Sequence, residues 1–257
     1  MTAVDPYGLD TGRWLAGVPL RRLLHVHLRI WLEQRSMTAG TALTLALGLF
    51  TTVVAVLTMP APVTTAAVAH RFASSSQLYV MSWLAIGAFA GAAPFRSHWA
   101  VLTLALAPRR TRWLAACYGS VLAWALAATA VFTVLAGIAT AISLAHSGRP
   151  LWAALGTVTS LWQLAIAVSV DVTVGFCLGA ATRGTAVTLL TGYVALPLTV
   201  VWWGEAGPWI DLDSARNAIS HLAAMQHGPA PMISALCLWV AGPAVFAAVR
   251  LGRSAIR

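Results

Sequence analysis

Apolar residues come in long runs rather than in alternation. They fill 38–59, ending at "MPAP"; then roughly 77–94, 113–145, 155–181, 186–203 with Pro197 inside, and 232–249. A helix needs ~20 apolar residues to cross a ~30 Å hydrocarbon core. The third run exceeds that and must tilt or protrude. The pattern predicts an all-α integral membrane protein with six transmembrane helices. Unbroken runs exclude an outer-membrane barrel, whose strands alternate. "TRGT" (Thr182–Thr185) predicts a tight break between the fourth and fifth spans. No internal repeat is evident in the residue pattern.

Ahead of the first span, residues 18–35 read "VPLRRLLHVHLRIWLEQR". On a helical wheel Arg22, His25, Arg29 and Glu33 cluster on one side. Leu20, Leu23, Leu24, Leu28, Ile30 and Trp31 fill the other. This predicts an amphipathic helix in the membrane interface, apolar face in acyl chains and arginines toward headgroups. Arg29 and Glu33 are spaced for an i,i+4 ion pair. His25 and His27 lie about 200° apart and cannot share a metal; no metal site is expected.

Composition agrees with a membrane chain. Of 257 residues 59% are hydrophobic and 9% charged, with mean hydropathy +0.79, where a soluble domain carries about 25% charged residues. All sixteen basic residues are arginine. Without lysine the chain cannot hold a P-loop, so if ATP drives it, another polypeptide binds the ATP. With both termini cytoplasmic, the inner segments hold Arg13, Arg21, Arg22, Arg29, Arg35, Arg96, Arg109, Arg110, Arg112, Arg183, Arg250, Arg253 and Arg257. The outer loops hold Arg71, Arg149 and Arg216. This positive-inside bias accounts for the net charge of +9 without nucleic acid. Glu205, Asp211 and Asp213 fall in the last outer loop. The organisation is a cytoplasmic N-terminus (1–36), a transmembrane domain (37–250) and a cytoplasmic tail (251–257). The first span lies behind an arginine-rich stretch without a cleavage site and reads as an anchor rather than a signal peptide.

Some residues point to function. Asp171 sits mid-span in "AVSVDVTVG"; an intramembrane carboxylate costs ~2.5–3.5 kcal/mol on insertion scales. With Gln163, Ser169 and Thr173 on the same helix it is a candidate for the translocation path, the rival being a neutral packing residue. Gly175 and Gly179 form a G-x-x-x-G, which permits close helix packing, within the chain in preference to between copies. Cys117, Cys177 and Cys237 read as small buried hydrophobes. In the outer loop, Asp213 or Ser214 and Gly228 bracket a short surface helix. On the cytoplasmic side, "FRSHWAVLTLALAPRRTRWLAAC" (95–117) holds a twelve-residue apolar piece, 97–108, too short to span. Trp99, Leu102 and Leu106 share one helical face, and Pro108 stops the helix. Such a helix can lie in the interface, re-enter the membrane or fill a protein groove.

That segment resembles the coupling helix of ABC transporter permeases of the type-2 exporter group. "RRLLHVHLRIWLEQRSM" resembles their connecting helix, "GFCLGAATRGTAVTLLTGYVALPL" their fourth-to-fifth span hairpin, and 204–230 their outer cap. The chain departs from the family at Pro94, where an acid is usual, at His98 and Trp99, where Gly-Thr is common, and at Cys117, where lysine is common. The resemblance implies a multi-pass permease of the bacterial inner membrane. Phe95, Arg96, Trp99, Leu102, Leu106, Arg109, Arg110 and Arg112 would meet separate ATPase subunits, which bind ATP and magnesium. Arg22, His25, Arg29, Trp31 and Glu33 would belong to the connecting helix. A second permease copy or paralogue would complete the path for an effluxed drug-like, peptide or lipid cargo. The alternatives are a non-transporting anchor or immunity protein, or a membrane-embedded enzyme. An enzyme would need clustered acids, i,i+4 histidines or a Ser/His set at the bilayer edge, and the sequence contains none of these.

Overall fold

A computed structural model describes residues 19–60, 63–96, 110–186 and short pieces between 233 and 249. The helices are α1 (Leu20–Glu33), α2 (Arg35–Leu57), α3 (Thr65–Ser75), α4 (Gln77–Arg96), α5 (Arg110–His146), α6 (Leu155–Thr159) and α7 (Leu161–Thr182), with a 3-10 turn at Leu151–Ala154. Four stretches are long and apolar enough to cross a membrane: Arg35–Leu57, Thr65–Phe95, Trp113–His146 and Leu151–Thr182. The fifth span, the outer loop and the segment 97–109 lie outside the described residues. So does most of the sixth span, of which the helical piece Cys237–Ala241 is seen.

The four spans alternate in direction. Trp124 meets Thr41 and Phe132 meets Gly48, so α2 and α5 run the same way. Tyr118 meets Thr173 and Gly137 meets Thr157, so α7 runs against α5. Rising residues of α4 meet rising residues of α7, so these two are parallel. Among the described residues, one end of the bundle therefore gathers the chain positions Arg21, Arg22, Arg29, Arg35, Arg96, Arg110, Arg112 and Arg183, and the other only Arg71 and Arg149.

On α2 packing inverts the soluble rule that large apolar residues go inside. On α2 the buried side is Met37, Thr41, Thr44, Gly48, Thr52 and Val56, while Leu43, Leu47, Phe50, Val54 and Leu57 are exposed. Two of its buried hydroxyls donate back along the helix: Thr41 to Met37 O and Thr52 to Gly48 O, both at 2.8 Å. On this helix small residues let backbones approach and large ones face outward, as suits a chain solvated by lipid.

The tightest contact joins α4 and α7. A methyl added at Gly87 would lie 2.6 Å from the Val172 carbonyl oxygen and crowd Phe176 N; one at Gly175 would strike Leu84 O and Ala88 N. Gly91 faces Phe176 O as Gly179 faces Ala88 O. The G-x-x-x-G at Gly175 is thus used inside the chain, against a second one at Gly87 and Gly91. Around this pair Tyr79 stacks on Phe132 with ring centres 4.0 Å apart. Tyr79 donates to Thr129 at 3.1 Å, because the Thr129 hydroxyl proton goes to Ala125 O.

Sequence expectations were met for the four spans with shifted ends. A helix, α3, stands where a loop was expected between the first two spans. The third span is one unbroken helix of 37 residues. The fourth is interrupted at Ser160, whose hydroxyl bonds Gly156 O at 2.9 Å.

Candidate functional site at the arginine-rich end

Helix α1 forms where the wheel places it, and Arg29 Nε reaches Glu33 Oε1 at 2.9 Å on its exposed side. Arg22 and His25 are exposed with them. The opposite side, which the sequence placed against acyl chains, packs on the first turns of α5 through Leu24, His27 and Trp31. Trp31, 4% exposed, donates its indole N–H to Ser120 Oγ at 2.9 Å. Leu24 covers Gly119. His27 is buried and sits edge-on to Trp113 with ring centres 5.4 Å apart. Burial holds the His27 imidazole below its ordinary value of 6.5, because the charged form loses its water. Ile30 was expected on the covered side but is 47% exposed, joining Val26 and Leu32 as apolar flanks of the polar strip. A helix gripped by one partner on one side leaves such flanking positions open.

Two helix ends meet nearby. Arg183 closes α7 in the left-handed region, φ 56°, which costs a non-glycine residue roughly 1–2 kcal/mol. The Thr182 hydroxyl accepts from Gly184 N at 3.3 Å and holds this turn. The conformation lays the Arg183 guanidinium over the Phe95 ring, 5.3 Å from its centre, a cation–π distance. Phe95 and Arg96 end α4, and Arg110 and Arg112 open α5. Trp99, Leu102, Leu106 and Arg109 lie outside the described residues.

The three candidate path residues do not share a face. Asp171 is fully buried and is not left unpaired. It lies one turn before Gly175, on the side turned to α4. Thr173, two residues on, points the other way and meets Tyr118 of α5 at 2.7 Å. Since Thr173 donates to Ser169 O, Tyr118 is the donor. Gln163 is half-buried two turns before Asp171. Sequence reasoning missed His27, Ser120 and Arg183. His27 and Trp31 are an i,i+4 pair and could have been read as one buried stripe; nothing in the sequence singles out Ser120.

The chain matches no family model, no curated protein and no solved structure.

Proposed function

We propose that this chain is the membrane-spanning permease subunit of an ATP-driven ABC exporter, seated in a bacterial inner membrane with the arginine-rich end and both termini in the cytoplasm. The observation that carries the reading is the docking of α1 on residues Trp113 to Ser120. Those turns follow directly on the segment 97–109, which would be the coupling helix. A connecting helix and the outlet of a coupling segment thus share one end of the bundle. Arginines crowd that end, as they do on the cytoplasmic side of membrane proteins. The chain has no lysine for a P-loop, so separate subunits would bind ATP and magnesium and move the spans by pushing on the segment. A second permease, same or different, would complete the path for a lipophilic or amphipathic cargo.

The test is retention of an ATPase on affinity-tagged permease expressed from its host. Trp99→Ala and Leu102→Ala should weaken retention by ~2 kcal/mol or more, as anchors at a hot spot do. Arg110→Ala should act less if it meets only headgroups, at ~1 kcal/mol. Full retention in both apolar variants, at equal permease yield, would make the segment a membrane-surface element and sink the reading. The purified chain alone should hydrolyse no ATP.

A further inference from the structure

The contacts between α4 and α7 are reciprocal. Gly87 touches Val172 and Phe176; Gly175 touches Leu84 and Ala88. Each partner is the residue 88 positions away from its counterpart: 87 with 175, 84 with 172, 88 with 176. Gly91 and Gly179 repeat the relation through Phe176 O and Ala88 O. A contact in which i meets j as j meets i marks a two-fold axis, here running between two parallel helices. The same spacing relates the helix ends. Leu57, closing α2, corresponds to 145, one residue before the end of α5. Arg96, closing α4, corresponds to 184, two beyond the end of α7. Leu20, opening α1, corresponds to 108, two before the start of α5. Around the axis the residues agree as well: "GAFAGAA" from Gly87 and "GFCLGAA" from Gly175 share both glycines and both alanines. Elsewhere the likeness is erased, which is why the residue pattern shows no repeat.

Phe95 and Arg183 occupy the same place in the two halves, and they touch across the axis. We infer that residues 20–96 and 108–184 are two copies of one structural unit, and that the Arg183–Phe95 contact is the latch that positions the two inner chain exits, so that Arg183 acts through Phe95 on the segment beginning at residue 97. Four observations converge on this. The glycine contacts are isologous. Arg183 keeps a left-handed backbone that glycine would adopt without strain. Its turn is held by Thr182 and Gly184. Its guanidinium lies on the ring of its own counterpart. The latch stands on geometry alone; its bearing on ATPase docking rests on the permease reading.

The experiment uses the full-length chain in detergent and reads amide exchange at Ala93, Phe95 and Arg96, which flank Pro94. Arg183→Ala should speed it roughly two- to fivefold, the loss of one exposed cation–π contact. Arg183→Gly, which relaxes the backbone but also removes the guanidinium, should do the same. The swap Phe95→Arg with Arg183→Phe rebuilds the contact only if the two positions are equivalent, and should restore slow exchange. Unchanged exchange in Arg183→Ala, or no rescue by the swap, overturns the latch. ATPase retention on the tagged permease is measured in parallel. It should fall in Arg183→Ala and return in the swap. Retention unaffected by a loosened 93–96 overturns the positioning role. Wild-type permease that retains no ATPase at all brings down the permease reading instead, and with it the docking role, while the exchange data still decide the latch.

Discussion

Trp31 and Ser120 are 89 residues apart in the chain and 2.9 Å apart in space, indole N–H to hydroxyl oxygen. Ser120 spends its own proton on Cys117 O at 2.7 Å, so its oxygen is free to accept from Trp31. Ser120→Ala leaves a buried indole N–H without an acceptor, at about 1–3 kcal/mol. Trp31→Phe removes the donor and most of the penalty with it. The double variant should therefore cost less than the two singles summed, with a coupling of roughly 1 kcal/mol in unfolding from mixed micelles. Strict additivity would mean that α1 is not docked this way.

The α4–α7 glycines tolerate no side chain, since an added methyl meets backbone rather than a movable side chain. Gly175→Ala and Gly91→Ala should each lower stability by ~1–3 kcal/mol, the range for overpacked sites. Gly40, with nothing within 4 Å of an added methyl, is the control: Gly40→Ala should be neutral or stabilise by up to ~1 kcal/mol through helix propensity. Thermal aggregation midpoints of the three purified variants decide the matter. Equal midpoints for Gly40→Ala and Gly175→Ala would exclude the close contact.

Docking of α1 should depend on pH. His27 is neutral and buried when α1 is docked, with its value lowered below 6.5; undocked, it takes up a proton near the ordinary value. The undocked state therefore binds more protons, and docking weakens as pH falls from 6.5 through the lowered value. It is fully present above that window. Amide protection of residues 24–31, corrected for intrinsic exchange, should drop between about pH 7.5 and about pH 5. His27→Gln, uncharged throughout, should lose that dependence. If the variant keeps the wild-type pH profile, His27 is not the cause.

Topology can be read with single cysteines in a background lacking the native three. Ser74 on α3 and Ser147 beyond α5 are exposed at the arginine-poor end, and Ser36 is exposed at the other. An impermeant maleimide added to intact cells should label the first two and spare Ser36→Cys. The reverse pattern would invert the positive-inside assignment.

The four described spans were legible because lipid solvation writes itself as uninterrupted apolar length. Their insides were not. Thr41 and Thr52 look like interruptions of an apolar run, yet they are the buried face of α2. Hydropathy marks what lipid tolerates, not which side meets protein. The same gap misplaced the partner of α1: a wheel finds the apolar side of a helix, and lipid and α5 are equally apolar partners. Gly175 and Gly179 were visible as a packing motif, but their counterparts at Gly87 and Gly91 went unread, because a G-x-x-x-G acquires meaning only from the backbone laid against it. The left-handed Arg183 left one trace, the "TRGT" break, where positive φ falls on the arginine rather than on the glycine that follows it.

One difference between the halves has a mechanical side. The first unit is jointed at Gln34, where extended backbone separates α1 from α2. In the second the stretch matching α1 and α2 is a single rod, α5, of 37 residues, about 55 Å long at 1.5 Å per residue. It is nearly twice the ~30 Å hydrocarbon thickness. The joint lets α1 fold over and clasp the rod near its arginine-rich tip, through Trp31 and Ser120. Pivoted at its outer end, such a rod is a lever: a tilt of about 5° sweeps the tip through roughly 5 Å, close to the pitch of one helical turn. The clasped helix would ride with it, so a small rotation among outward-facing side chains becomes a displacement large enough to change which residues meet at the arginine-rich end.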